Sequence, residues 1–121
     1  MDKERRRSPR VNKRFMVKYR SPDEGQSEWL MSPIKDLSTV GVRFFADSGY
    51  AVGSFMELQL CLPAFKEPVV TRGQVIWQRR PGPTIMTEHG VEFLHLEQAD
   101  LERISQVTKY FLKKEEDAHG I

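Results

Sequence analysis

The stretch Met56-Glu57-Leu58-Gln59-Leu60-Cys61-Leu62 puts Met56, Leu58, Leu60 and Leu62 on one side of an extended chain and Glu57, Gln59 and Cys61 on the other, until Pro63 interrupts it. A period of two is that of a strand with one face buried. Proline has no N–H for a sheet ladder, so the strand stops there. Cys61 falls opposite Leu60 and Leu62 and reads as a strand residue rather than a reactive thiol.

The same period appears on both sides of this stretch. Upstream, Phe15, Val17 and Tyr19 alternate with Met16, Lys18 and Arg20, and Ser21-Pro22-Asp23-Glu24-Gly25 is a turn cluster. A second strand is expected over Trp29 to Lys35, with Pro33 indicating a sheet edge or a bulge. Val40, Val42 and Phe44 alternate again, and Asp47 to Gly53 reads as loop. Downstream, Val69 to Gln78 is expected as a strand with Val75 and Trp77 on one face, and Pro81-Gly82-Pro83 as a turn. Ile85 to Leu96 contains a last strand, clearest at Gly90-Val91-Glu92-Phe93, with His89 in a loop before it. The period then becomes helical: Leu101, Ile104, Val107, Phe111 and Leu112 recur every three to four residues. One helix is expected over about 98–114, with Asp100 and Lys113/Lys114 suiting its dipole. The fold class that follows is all-β with one C-terminal helix. It is a six-stranded antiparallel β-barrel, whose closure removes exposed sheet edges.

The chain has 121 residues, a length for one domain, and its 39% hydrophobic and 30% charged content admits a modest core. Uncharged stretches such as Leu58 to Phe65 fall far short of the roughly 20 apolar residues of a membrane helix. The N-terminus is charged from Asp2 and has no apolar signal core. With a single cysteine, the expectation is a soluble cytoplasmic protein that does not associate with membrane. Charge is unevenly spread. Residues 1–20 hold nine Lys/Arg against two Asp/Glu, a net +7, whereas the whole chain carries +2, so the rest carries −5. Residues 1–11 have no apolar periodicity and are expected to be a flexible basic arm ahead of a 12–121 barrel and helix. Such an arm on a mildly acidic body suits an anionic partner, and equally a solvated tail.

Catalytic machinery is not apparent. His89, His95 and His119 show no paired metal spacing, Cys61 has no cysteine partner, and no phosphate loop or GxGxxG is present. No catalytic residue, metal site or cofactor is expected. Two other stretches carry recognition chemistry. Arg6 and Arg10 form Arg-x-x-x-Arg, and guanidinium pairs bidentately with phosphate and with the O6/N7 edge of guanine. In a basic tail that spacing also arises by chance. Asp36-Leu37-Ser38-Thr39-Val40-Gly41 sits between two expected strands. Its carboxylate can accept from the N1–H and N2–H₂ donors of guanine, its serine can donate or accept, and Gly41 permits close backbone approach or positive φ. Taken alone, the hexapeptide reads first as an ordinary turn.

Taken together and in this order, these stretches resemble the PilZ family, which binds cyclic di-GMP. The Arg-x-x-x-Arg at Arg6 and Arg10 precedes the first strand, and Asp-x-Ser-x-x-Gly follows at Asp36, Ser38 and Gly41. Gly73-Gln74-Val75-Ile76-Trp77 and Gly90-Val91-Glu92-Phe93 are weaker echoes, read mainly as core packing. The likeness covers about residues 4 to 112. It implies that Arg6 and Arg10 clamp phosphate and guanine, Asp36 and Ser38 read a guanine edge, and Gly41 lets the backbone approach. Arg5 stands where the family sets ligand stoichiometry, and an arginine there is similar to members holding a stacked dimer of the messenger. Trp77 has two readings: stacking on guanine, or a core or rim tryptophan. Arg43 either faces the motif or is an ordinary surface-strand residue. The implied function is a cyclic di-GMP receptor that signals to a downstream protein partner, as monomer or homodimer. Two other classes remain: a ligand-independent interaction adaptor, and a small-barrel nucleic-acid binder, against which the acidic body speaks.

Overall fold

The structure, a computed structural model, describes residues 15–22, 28–63 and 65–119, with side chains of the helix described as far as residue 109. The expected arm and Arg5, Arg6 and Arg10 lie outside the described residues. Six strands form: β1 (Met16–Arg20), β2 (Leu30–Leu37), β3 (Gly41–Ala46), β4 (Phe55–Cys61), β5 (Val69–Arg79) and β6 (Thr87–Phe93); one helix follows, α1 (Gln98–His119). The strands close into an antiparallel barrel in the order β1-β2-β3-β6-β5-β4. The six-stranded barrel with a C-terminal helix is as the alternation predicts.

Inward-facing residues make the core. Val17, Phe44, Met56, Leu58, Leu60 and Val69 have no exposed surface. Truncating any of the larger ones to alanine would cost about 2–5 kcal/mol. The helix adds Ile104 and Val107 to the same cluster, and Arg103 donates to the Glu67 carbonyl (2.9 Å) in the β4–β5 connection. α1 therefore sits at the barrel end that also holds the entry to β1, the β2–β3 turn and the end of β6.

Several boundaries and facings differ from the sequence reading. β2 extends to Leu37, so Asp36 stands in a strand, paired with Arg43 across a register shift between Ile34 and Asp36. Pro33 marks no edge, since the barrel is closed; its other reading, a bulge, agrees with the register shift that follows at Ile34 and Asp36. The Ile34 N–H points to Phe15 O, just before β1 (2.8 Å), so the Pro33 nitrogen faces β3, where pairing stops at Ile34. Val40 lies in the turn and is 61% exposed. Val75 and Trp77 do not share a face: a second register shift falls between them, with Val75 inside and Trp77 half-buried outside. The helix runs to His119, five residues past the expected end.

His89 is not in a loop. It is fully buried in β6, its Nε2 accepting from the Tyr50 N–H (2.9 Å) and its ring packed near Phe44 and Tyr50. Thr87-Glu88-His89 has no apolar alternation to reveal a strand. Burial pushes the His89 pKa below its ordinary value, against a smaller upward pull from the Thr87 backbone. The folded chain thus resists a proton that the unfolded chain takes up near pH 6.5. This contribution to stability is complete above pH 6.5 and is lost as pH falls from there toward the folded pKa. The unfolding free energy from urea titrations should drop between pH 7.5 and 5.5, with a slope from this group of up to about 1.4 kcal/mol per pH unit. In His89→Gln the drop should be smaller; equal drops in both proteins would contradict the assignment.

Candidate ligand-binding site

A cleft of about 350 Å³ opens on the outer wall beneath the β2–β3 turn, a size within the range of small-molecule sites. Asp36, Ser38, Gly41, Arg43 and Trp77 all line it. The turn that forms its upper lip is built by its own motif. The Ser38 N–H donates to Gly41 O (3.0 Å), and Ser38 Oγ accepts from the N–H groups of Val40 (3.0 Å) and Gly41 (3.3 Å). Both side-chain contacts use Oγ as acceptor, which leaves its proton to donate outward. Gly41 serves close approach rather than positive φ: a Cβ there would overlap the Val91 carbonyl oxygen of β6.

Asp36 Oδ1 accepts from the Leu37 N–H (3.0 Å), and Oδ2 from Arg43 NH2 (3.3 Å). Arg43 thus satisfies both of its sequence readings, standing on the outer face of β3 and facing the motif. In the neighbouring strands, Arg43 pairs with Gly90 and Gly90 with Trp77. The absent side chain at Gly90 makes room for the indole, because a Cβ there would overlap Trp77 Nε1 and Cε2. The β5 register shift turns Trp77 out of the barrel onto this seat, and it joins no core cluster. Ile76, 49% exposed, and Glu92 complete the wall.

The sequence reading overlooked Ile76, Gly90 and Glu92 as wall residues. Gly90 carried a signal, since a glycine inside a strand often marks a close approach. Ile76 carried none, because a bulge has no period. The entry to β1 adjoins this site: Phe15 O bonds the Ile34 N–H, two residues before Asp36.

The family model of the PilZ domain matches residues 4–109. The chain belongs to the PilZ family. That family is one of cyclic di-GMP receptors. Among solved structures, the Bacillus subtilis inhibitor of motility MotI/DgrA is similar in fold, with a TM-score of 0.67 at 14% identity. The match covers 83% of this chain and 48% of that one, so the chain spans about half of that protein's length. No curated protein sequence matches the chain. No helix among the described residues is long and apolar enough to cross a membrane.

The seating of Trp77 on Gly90 is open to a direct check. In a Trp29→Phe background, where Trp77 is the sole tryptophan and can be excited apart from the tyrosines, Gly90→Ala should displace the indole and shift its emission to the red. An unchanged spectrum in a folded variant would mean that the ring does not rest there.

Proposed function

We propose that this PilZ domain binds cyclic di-GMP in the cleft beneath the β2–β3 turn and passes the binding event to a protein partner. The observation that carries the reading is the sharing of one cleft by Asp36, Ser38, Arg43 and Trp77, with the chain's entry to β1 alongside. In this reading the Asp36 carboxylate and the Ser38 hydroxyl meet the donor and acceptor edge of one guanine. Trp77 offers an aromatic face, and base stacking on such a face contributes about 1–3 kcal/mol. Arg43 adds a cation at the wall.

The two phosphates are assigned to Arg6 and Arg10. Arg10 lies five residues before Phe15, and an extended chain spans at most about 3.6 Å per residue. It can therefore reach up to about 18 Å from Phe15, whose carbonyl is hydrogen-bonded to Ile34, two residues before Asp36. Each charge-assisted bond contributes about 1.5–3 kcal/mol. Arg5 is assigned to a second, stacked messenger molecule. Closing the N-terminal residues over the ligand would create a new surface at this barrel end, beside the β2–β3 turn and α1. A downstream partner or another copy of the chain would read that surface in the cytoplasm.

Titration calorimetry with cyclic di-GMP, against GTP and cyclic GMP, tests ligand and stoichiometry together. Cyclic di-GMP should bind at micromolar concentration or below and the others at least tenfold more weakly. Asp36→Ala, Arg6→Ala and Arg10→Ala should each weaken binding roughly 10- to 100-fold. Wild-type affinity in both arginine variants would refute the clamp, and absence of binding would favour a ligand-independent adaptor.

A further inference from the structure

Glu88 is only 1% exposed, yet it stands on the outer wall of the barrel. Its neighbours His89 and Val91 point inward, so Glu88 and Gly90 face out. Two arginines pair with it. Arg79 Nε donates to Oε1 at 2.9 Å, and Arg43 NH1 stands 3.6 Å from Oε2. The second distance is an ion pair but too long for a hydrogen bond. Glu88 Oε2 and Arg43 Nε, both buried, have no hydrogen-bond partner among the described residues. From the same guanidinium, NH2 reaches out to Asp36 Oδ2 at 3.3 Å.

Arg43 is therefore held between two carboxylates of different character. Glu88 is buried, whereas the Asp36 side chain is 68% exposed. Charges interact more strongly away from water, so the buried carboxylate governs where the guanidinium rests. Without it, Arg43 would be drawn fully onto Asp36, and a bidentate pair would take up the lone pairs that the Leu37 N–H and the single Arg43 contact leave free on the carboxylate oxygens. Those oxygens are the acceptors that a purine N–H edge would use. Glu88 itself does not line the cleft.

We infer that Glu88 is a positioning residue for the ligand site: its buried carboxylate anchors Arg43 on the barrel wall and so keeps Asp36 open to guanine. The inference rests on the binding reading above and adds to it a residue that never touches the ligand. It also reconciles an acidic side chain with its place beneath a site meant for an anion. Its charge is absorbed by Arg79 and Arg43, and its effect on the ligand passes through Arg43.

A double-mutant cycle on the full chain tests it, by calorimetric titration with cyclic di-GMP at a temperature where every variant is folded by circular dichroism. Glu88→Gln keeps the shape and removes the charge, and should weaken binding about tenfold or more. In an Arg43→Gln background the same substitution should change affinity less than twofold. Equal losses in both backgrounds would make Glu88 a structural residue and overturn the inference, as would no loss in the single variant. Wild-type protein that gives no binding would overturn the ligand reading itself, and this inference with it. Should Glu88→Gln fail to fold, Glu88→Asp retains the charge one methylene short. It should lose affinity about threefold, again only while Arg43 is present.

Discussion

Closing six short strands into a barrel sends alternate side chains into a single shared core and leaves the others on the outer wall. Val17, Phe44, Leu58 and Val91 satisfy the interior, all under 5% exposed. The outer positions are then free of packing duty and can carry chemistry. The cleft occupies this outer wall, where Gly41, Arg43, Gly90 and Glu92 stand on paired strands. Strict alternation would still have given a uniform surface. Two of the strand pairs break it, one between Ile34 and Asp36 and the other between Val75 and Trp77. Bulges re-aim side chains and increase local twist. Here one bulge lies beside the carboxylate at the cleft and the other beside its aromatic ring. The irregularities of the barrel are therefore where the candidate site is made.

This explains what could and could not be read from the sequence. Met56 to Leu62 and Phe15 to Arg20 follow the period of two without interruption, and their facings were legible. Val75 and Trp77 follow it too, but the inserted residue between them turns Trp77 outward, and hydrophobicity alone carries no mark of the insertion. Thr87-Glu88-His89 was hidden for another reason. Its inward and buried positions are filled by polar groups whose partners come from elsewhere: Tyr50 for His89, Arg43 and Arg79 for Glu88. A pattern of apolar residues cannot register a strand that buries polar ones. Asp36, Ser38 and Gly41 were legible as a motif, because the turn they build depends on residue type. The cleft they share with Arg43 and Trp77 depends on the pairing of β3, β6 and β5, and that pairing is not local in sequence.

Within the described residues the cleft is not a cationic site. Asp36 and Glu92 line it, Glu88 lies beneath it, and Arg43 is the basic residue among its walls, already shared between two carboxylates. Such a wall is suited to a base edge rich in N–H donors, and it repels phosphate. A ligand that joins guanine to a phosphodiester therefore poses two opposite demands, which one rigid surface meets poorly. Acceptors placed for the base destabilise the phosphate, and cations placed for the phosphate compete for the same acceptors, as Arg43 does for Asp36. The chain separates the two by sequence. Its first twenty residues carry +7 and the remainder −5, while the entry to β1 is hydrogen-bonded beside the acidic wall. Selectivity for the base can then reside in fixed barrel residues, and attraction for the phosphates in a segment that reaches them from outside. A free anion would find only the basic segment, and an uncharged purine only the wall. In the proposed complex a ligand carrying both groups would engage the two together, the second contact being made at the high effective concentration that a short tether imposes.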